Sequence, residues 1–292
     1  QQTKADALPE CRPSDAPLLD HIDAWLGREA PRHLTSRSQR QLRLRAIARF
    51  QQLSAPLAAK SVEDTAFYRY SKLLSRNEVG ATPSQFALDP EDFHRELNRR
   101  AQHFPRAMLA TATHDHKRGE DIRARLAVLS EVPAQWHDHV RQWRAINARH
   151  KIDGQGKYER GWPEPTDEYM LYQMLVGGWP LSLQPSDQIG LQELRDRLAQ
   201  WLLKALREAK SVTSWTEPNT EYESACKYFL YQLLDTHSSS AFIDSLFQFV
   251  NSIAAAGALN GLAQTLLKLT VPGVPDTYQG CEWRDFSFAD PD

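Results

Sequence analysis

The chain has 292 residues, 41% of them hydrophobic, and 35 basic side chains against 37 acidic ones leave a net charge of −2. That balance excludes the strong field that recruits nucleic acid or an anionic membrane surface, and the apolar content is enough for a sizeable core in one large or two modest domains. No apolar run reads as long enough to span a membrane. Three cysteines, Cys11, Cys226 and Cys281, are too far apart to form a CxxC pair or a disulfide framework, so reduced structural thiols in a cytoplasmic protein are expected. The opening QQTKADALPECRPSDAP has no positive-then-apolar secretory pattern, and the closing FSFADPD ends without a helix end or polar tail. Both ends suggest a piece of a longer chain.

Residues 1–14 read as polar and mobile. Leu18, Leu19, Ile22, Trp25 and Leu26 set a helical stripe over 17–30, stopped by Pro31. Thr35 is placed to cap a second helix, in which Leu42, Leu44, Ile47 and Leu53 alternate with arginines. Pro56 opens a short buried run over 56–60, read as a strand. NEVGATPSQF is a loop, and Asp89 or Asp92 can cap a helix that ends before Pro105. Residues 108–113 form a β-prone run, after which Ile122, Leu126 and Leu129 return to helical spacing. Helices with Trp, Leu and Tyr stripes dominate 134–235. Two more are expected over 239–269, split near 257–260, and a last strand over 274–278. Each of the three short strands is followed by polar residues, which is where α/β barrels place their chemistry.

His114 with His116, and His137 with His139, have the alternate spacing that shares a strand face, but no HExxH, cysteine ligand or third ligand accompanies them. No metal site and no cofactor is expected. Glu120 and Asp121 read as first-turn acids facing a helix dipole. Asp115 sits at a strand end beside His114, and spacing alone leaves it open between a polar turn and a reactive carboxylate. The arginine-rich 37–49 stretch carries a regular apolar stripe, so it reads as a solvated helix face rather than a nucleic-acid arm. Trp143, Trp201 and Tyr228 lie on helical stripes and read as core, whereas Tyr68, Tyr70 and Trp215 lie near polar loops and suit ligand contact. No GxSxG, P-loop or GxGxxG is present.

Three stretches, AKSVEDTAFYRY (59–70), MLATATHDHKRGEDIRARLAVLSE (108–131) and QTLLKLTVPGVPDTYQGCEWRDFSFADPD (264–292), together resemble the maltooligosyl trehalose synthase family of the α-amylase superfamily. SVTSWTEPNTEYE and DEYMLYQMLVGGWP add to the resemblance, which covers most of the chain from about residue 48. It implies a mainly α fold: a helical bundle inserted into an incomplete (β/α)8 barrel portion that contributes about three short parallel strands. Three such strands cannot close a barrel. The implied divisions are an N-terminal helical segment (1–49), a barrel portion with strands six and seven (50–118), a helical insertion (119–240) and a barrel portion with strand eight (241–292).

The resemblance also implies roles. Asp115 would stabilise the transition state with His114 beside it; Lys60, Glu63, Tyr68, Tyr70, Lys117, Arg118 and Trp215 would bind substrate. The implied substrate is a maltooligosaccharide, and the implied reaction turns its reducing-end α-1,4 bond into an α,α-1,1 bond by intramolecular transfer. The family's nucleophilic aspartate, in Gly-x-Arg-x-Asp, and its acid/base glutamate have no counterpart in this sequence. The chain is therefore expected to be inactive alone, to require the N-terminal barrel portion of the same enzyme, and to engage neither nucleic acid nor membrane. The alternatives are a non-catalytic helical glucan- or protein-binding module, or part of a related glucanotransferase or amylase.

Overall fold

A computed structural model describes residues 8–10, 12–27, 36–82, 85–153 and 161–289, and the chain divides into two units, 1–61 and 62–292. In the first unit, α1 (Ala16–Leu26) opens on a proline in its first turn, where the missing N–H costs nothing. Helix α2 (Arg37–Ala58) starts from a capping box: Ser36 Oγ accepts from Gln39 N at 3.2 Å, and Gln39 Oε1 accepts from Ser36 N at 3.3 Å. Thr35, expected as the cap, lies outside the described residues. Leu42, Leu44, Leu53 and Leu57 of α2 are exposed, and its buried residue is Arg43, whose guanidinium donates to Gly27 O.

The strand expected over 56–60 is not formed. Helix α2 runs through Pro56 to Ala58, and a π-helical segment follows over Ala59–Ala66. A strand needs a neighbour to satisfy its N–H and C=O groups, whereas a helix satisfies its own. The apolar run is compatible with either, and here it is helical. The division expected at residue 49 likewise falls inside α2.

In the second unit, α3 (Pro90–His103) is capped by Asp89, whose Oδ1 accepts from Asp92 N at 2.8 Å. Strand β1 (Met108–Leu109) pairs in parallel with β2 (Val274–Pro275) through Val274 N to Ala107 O and Asp276 N to Leu109 O, both 2.9 Å. These two strands, shorter than the runs expected over 108–113 and 274–278, form a two-stranded parallel sheet in place of the three strands expected. Helices α4 (Glu120–Ala127), α5 (Pro133–Asn147), α6 (Pro165–Gly178), α7 (Gln188–Ala209), α8 (Thr220–Leu233) and α9 (Thr236–Thr270) complete the unit. Asp187, Asn219 and Asp235 cap α7, α8 and α9 through side-chain oxygens.

Helix α6 is the centre of the bundle. Met170 to Gly178 are buried without interruption, the mark of a helix surrounded on all sides. Trp143 of α5 is fully buried, and its ring lies 5.6 Å from those of Tyr172 and Phe242 and 5.7 Å from Trp136, edge to face. Gly177 and Gly178 let Ile122 and Phe288 close onto α6; a Cβ at Gly178 would collide with the Phe288 ring. Trp201 is core as expected, but Tyr228 is exposed. The buried face of α8 is Tyr222, Ala225, Cys226, Phe229, Leu230 and Leu233, and position 228 is out of phase with it.

Helix α9 is continuous through 257–260, where a split was expected, and its non-helical residue is Ser239. A Cβ at Gly257 would clash with the Arg125 backbone of α4, so the glycine here serves a close helix–helix approach rather than a break. Contrary to the expectation that no run reaches membrane-span length, α9 is long and apolar enough by length and composition, with an 18-residue stretch of mean hydropathy 1.3. Its Phe242, Ile243, Leu246, Phe249, Val250 and Ile253 are buried in the bundle core, the use a packed helix makes of such residues.

Candidate functional site

The turn that follows β1 holds the His-Asp pair. His116 N donates to Thr113 O at 3.4 Å and Asp115 N to Thr113 Oγ1 at 3.2 Å, so His114 and Asp115 occupy the tip. His114 is exposed, and the Asp115 side chain is 47% exposed. His116 turns the other way. Its Nε2 lies 2.8 Å from Ser287 Oγ in a buried contact.

Lys117 anchors the turn from below. Its side chain is 2% exposed, and Nζ donates to Asp64 Oδ1 at 2.7 Å and to Asp115 Oδ1 at 3.2 Å. Burial alone would lower its pKa, but the Asp64 hydrogen bond and the electrostatic pull of Tyr68, Asp64 and Asp115 outweigh it and hold the ammonium well above its ordinary value. Lys117 is therefore a fixed cation, tied to one partly buried and one half-exposed carboxylate.

Glu78 organises the next residues. Its carboxylate accepts from Lys117 N at 2.8 Å and from Arg118 N at 3.2 Å, and it lies 3.5 Å from Arg123 Nε. Arg118 is fully buried and donates through Nη1 to Asn77 O at 3.0 Å; burial lowers its pKa against the pull of Tyr68 and Glu78. Asp285 closes the base of the turn. Its Oδ2 accepts from Glu120 N at 3.2 Å, its carbonyl accepts from Asp121 N at 3.1 Å, and its own N–H donates to Asp121 Oδ2 at 2.7 Å. Burial raises the Asp121 carboxyl above its usual range. Burial also works to raise Asp285, but hydrogen bonds from Ser287 and the nearby His116 lower it. The Cys281 thiol, 3.4 Å from Asp285 Oδ2, is pushed up to about 12 by burial and by that carboxylate, which leaves it protonated and unreactive.

The expected substrate contacts divide. Tyr68, Lys117 and Arg118 are 1%, 2% and 0% exposed, so they do not present themselves to a ligand. Asp64 and Glu78 draw Lys117 and Arg118 inward. Glu63 is half-buried and its Oε1 accepts from Gly80 N at 3.0 Å. Tyr70 is exposed, with Lys72 Nζ 6.0 Å from its ring centre. Trp215 is exposed on the loop between α7 and α8, where it donates to Glu208 Oε1 at 3.0 Å and lies under the Arg207 guanidinium. Lys60 belongs to the first unit, exposed in the π-helical segment. The organisers Glu78, Asn77, Asp285 and Ser287 escaped sequence reasoning, because no spacing links residues 78 and 285 to the turn they hold.

Among the described residues no three His, Cys, Asp or Glu side chains group as metal ligands do. His139 packs its ring on Phe249 at 4.7 Å and Trp143 at 5.4 Å, and burial lowers its pKa. A half-exposed carboxylate, fixed by a buried ammonium and flanked by an open imidazole, can accept hydrogen bonds from a pair of hydroxyl groups without rearranging.

No family model matches the chain. Proteins assigned as maltooligosyl trehalose synthases in two Mycobacterium tuberculosis strains are 41% identical over 244 residues, which is 84% of this chain and 29% of theirs. The solved maltooligosyltrehalose synthase of Arthrobacter ramosus superposes with a TM-score of 0.72 at 35% identity, over 99% of this chain and 33% of that one. A maltooligosyl trehalose synthase structure from Sulfolobus tokodaii gives 0.73 at 29% identity, over 94% of this chain and 38% of that one. The chain thus spans about a third of the length of the relatives it matches.

Proposed function

The chain is homologous to part of maltooligosyl trehalose synthase, and from that premise we propose that it supplies one wall of the sugar-binding cleft of such an enzyme. The reaction is an isomerisation: the reducing-end α-1,4 bond of a maltooligosaccharide becomes an α,α-1,1 bond. We assign β1 and β2 to neighbouring strands of a (β/α)8 barrel and residues 119–240 to a helical insertion between them. The free thiols of Cys226 and Cys281 suit a reducing, cytoplasmic setting.

In a retaining route the C1–O4 bond breaks as C1 bonds to a nucleophilic carboxylate and a carboxylic acid protonates O4. Neither group is in this sequence, so the chain alone is expected not to turn over. The freed glucose then turns and attacks C1 through its anomeric oxygen. The C1–carboxylate bond breaks, and the anomeric proton returns to the acid/base group. Water must be excluded meanwhile, or hydrolysis competes.

Asp115 accepts from the 2- and 3-hydroxyls of the transferred sugar. Those bonds strengthen as the ring flattens and becomes positive, so they lower the barrier more than they tighten binding. His114 donates to the same hydroxyls. Lys117 holds the Asp115 carboxylate in place, which keeps the reorganisation cost low. Glu63, Tyr70 and Trp215 are assigned to holding the glucose as it turns. The observation that supports this reading best is the half-exposed Asp115 carboxylate fixed 3.2 Å from buried Lys117.

Calorimetric titration with maltopentaose tests it. The chain is expected to bind, and Asp115→Ala to weaken binding at least tenfold with unchanged circular dichroism. Binding that Asp115→Ala leaves intact overturns the site. No binding, together with a defined protein partner, favours an interaction module instead.

A further inference from the structure

A second concave site lies away from the His-Asp turn, between α5, α6 and the 71–73 loop. It is a groove of about 690 Å³, inside the ~300–1,000 Å³ range of small-molecule sites. Its charge is one-sided. Lys72, His137, Arg141 and Arg144 line it, and among the described lining residues there is no aspartate or glutamate.

The backbone adds to that sign. Pro133 and Pro165, the first residues of α5 and α6, both line the groove, and neither helix has a side-chain cap. Two uncapped helix N-termini thus bring their positive dipole ends to one place. The acids of the first turn of α6 are engaged elsewhere. Asp167 accepts from the Tyr222 hydroxyl, and Glu168 is buried against Lys151 Nζ at 2.8 Å and the Tyr172 hydroxyl at 2.9 Å. Glu168 also lies 3.6 Å from Arg144 Nε, which neutralises part of that one cation. Arg141, exposed, is left to face solvent and groove.

The floor is rigid. Trp136 Nε1 donates to the Tyr169 hydroxyl at 2.8 Å, and Arg144 Nη2 to Pro165 O at 2.9 Å. Trp136 is 6% exposed, and the aromatic ring open at the groove is that of Phe86, 61% exposed, a flat apolar face of the kind a sugar ring can lie against. Besides cations the groove is lined by hydroxyls, such as Ser130 and Thr166, and by apolar walls that include Leu129, Val140 and the Phe86 ring.

We propose that this groove binds the phosphomonoester of a small sugar. Arginine forks match phosphate oxygens two at a time, and a phosphate near charge −2 suits several cations better than a carboxylate does. The hydroxyls and apolar walls extend past what a bare phosphate occupies and suit the sugar; that saccharide half rests on the glucan reading above.

Calorimetry with glucose 6-phosphate, inorganic phosphate and maltose tests the proposal on the whole chain. Glucose 6-phosphate is expected to bind at least tenfold more tightly than either other probe and to weaken with added salt. Arg141→Ala is expected to lower that affinity at least tenfold without shifting thermal unfolding, and to leave maltopentaose titration unchanged. Absence of glucose 6-phosphate binding, equal affinity for inorganic phosphate, or affinity untouched by Arg141→Ala overturns it. The maltopentaose titration of Asp115→Ala reads the other site independently, so the two proposals fail separately.

Discussion

In the helical bundle the large apolar side chains are enclosed: Trp143, Tyr172, Phe242 and Phe229 expose no surface. At the edge carrying the strands the reverse holds. Met108 of β1 is 70% exposed, Val274 of β2 is exposed, and Leu259, Leu262, Leu266 and Leu269 continue down α9 in the open at helical spacing. One helix, α9, serves both regions, with its first half buried in the bundle and its second half bare. The bundle completes its own core from this chain, whereas an apolar face of that length is what a protein covers in its working form.

The comparison sets an order of expected effects. Trp143→Ala empties the centre of the aromatic cluster and is expected to lower unfolding stability by about 3–5 kcal/mol, read by urea denaturation. A loss under about 1 kcal/mol would mean the bundle is not the stable part.

Asp167 gives the next effect, through pH. Burial raises its carboxyl from 3.8 to about 6, against the Tyr222 hydrogen bond. An acid raised in the folded state binds more protons folded than unfolded, so stability is greatest below about 4, falls as pH rises towards 6, and then levels. The difference in unfolding free energy between the chain and Asp167→Asn, followed from pH 4 to 7, should shift against the chain by up to roughly 3 kcal/mol.

Gly178→Ala drives a methyl into the Phe288 ring and is expected to cost about 1–3 kcal/mol, seen as a lower melting temperature. The smallest effect belongs to the bare edge. Leu262→Ser should change stability by less than about 0.5 kcal/mol and reduce self-association in light scattering. A large loss there would show that the α9 leucines are covered in solution and would close the gap between the two regions.

Legibility in the sequence follows the same division. The helix start at Asp89 was readable because a cap is a local interaction. Trp143 and Trp201 were readable as core because their neighbours repeat at 3.6. Failures occur where partners outside the window decide. The 56–60 run has strand composition but no strand beside it, and Gly257 looks like a breaker until Arg125 of α4 is placed against it. His114 and Asp115 were visible as a pair, and their exposure is consistent with the expected role. The inward turn of Lys117 and Arg118 was not visible, because Asp64 and Glu78 that cause it lie about 40 to 50 residues away.

The pairing of β1 with β2 also bears on how the chain folds. The two strands are on the order of 160 residues apart, and closing a loop of that length costs roughly 4–5 kcal/mol of chain entropy. Two backbone hydrogen bonds at about 1 kcal/mol each do not offset that. The sheet therefore cannot nucleate folding; it forms once α4 and α9 have packed and brought its ends together. Its amides at Val274 and Asp276 should exchange with solvent by local opening, well before those of α6, which wait for the whole unit to unfold.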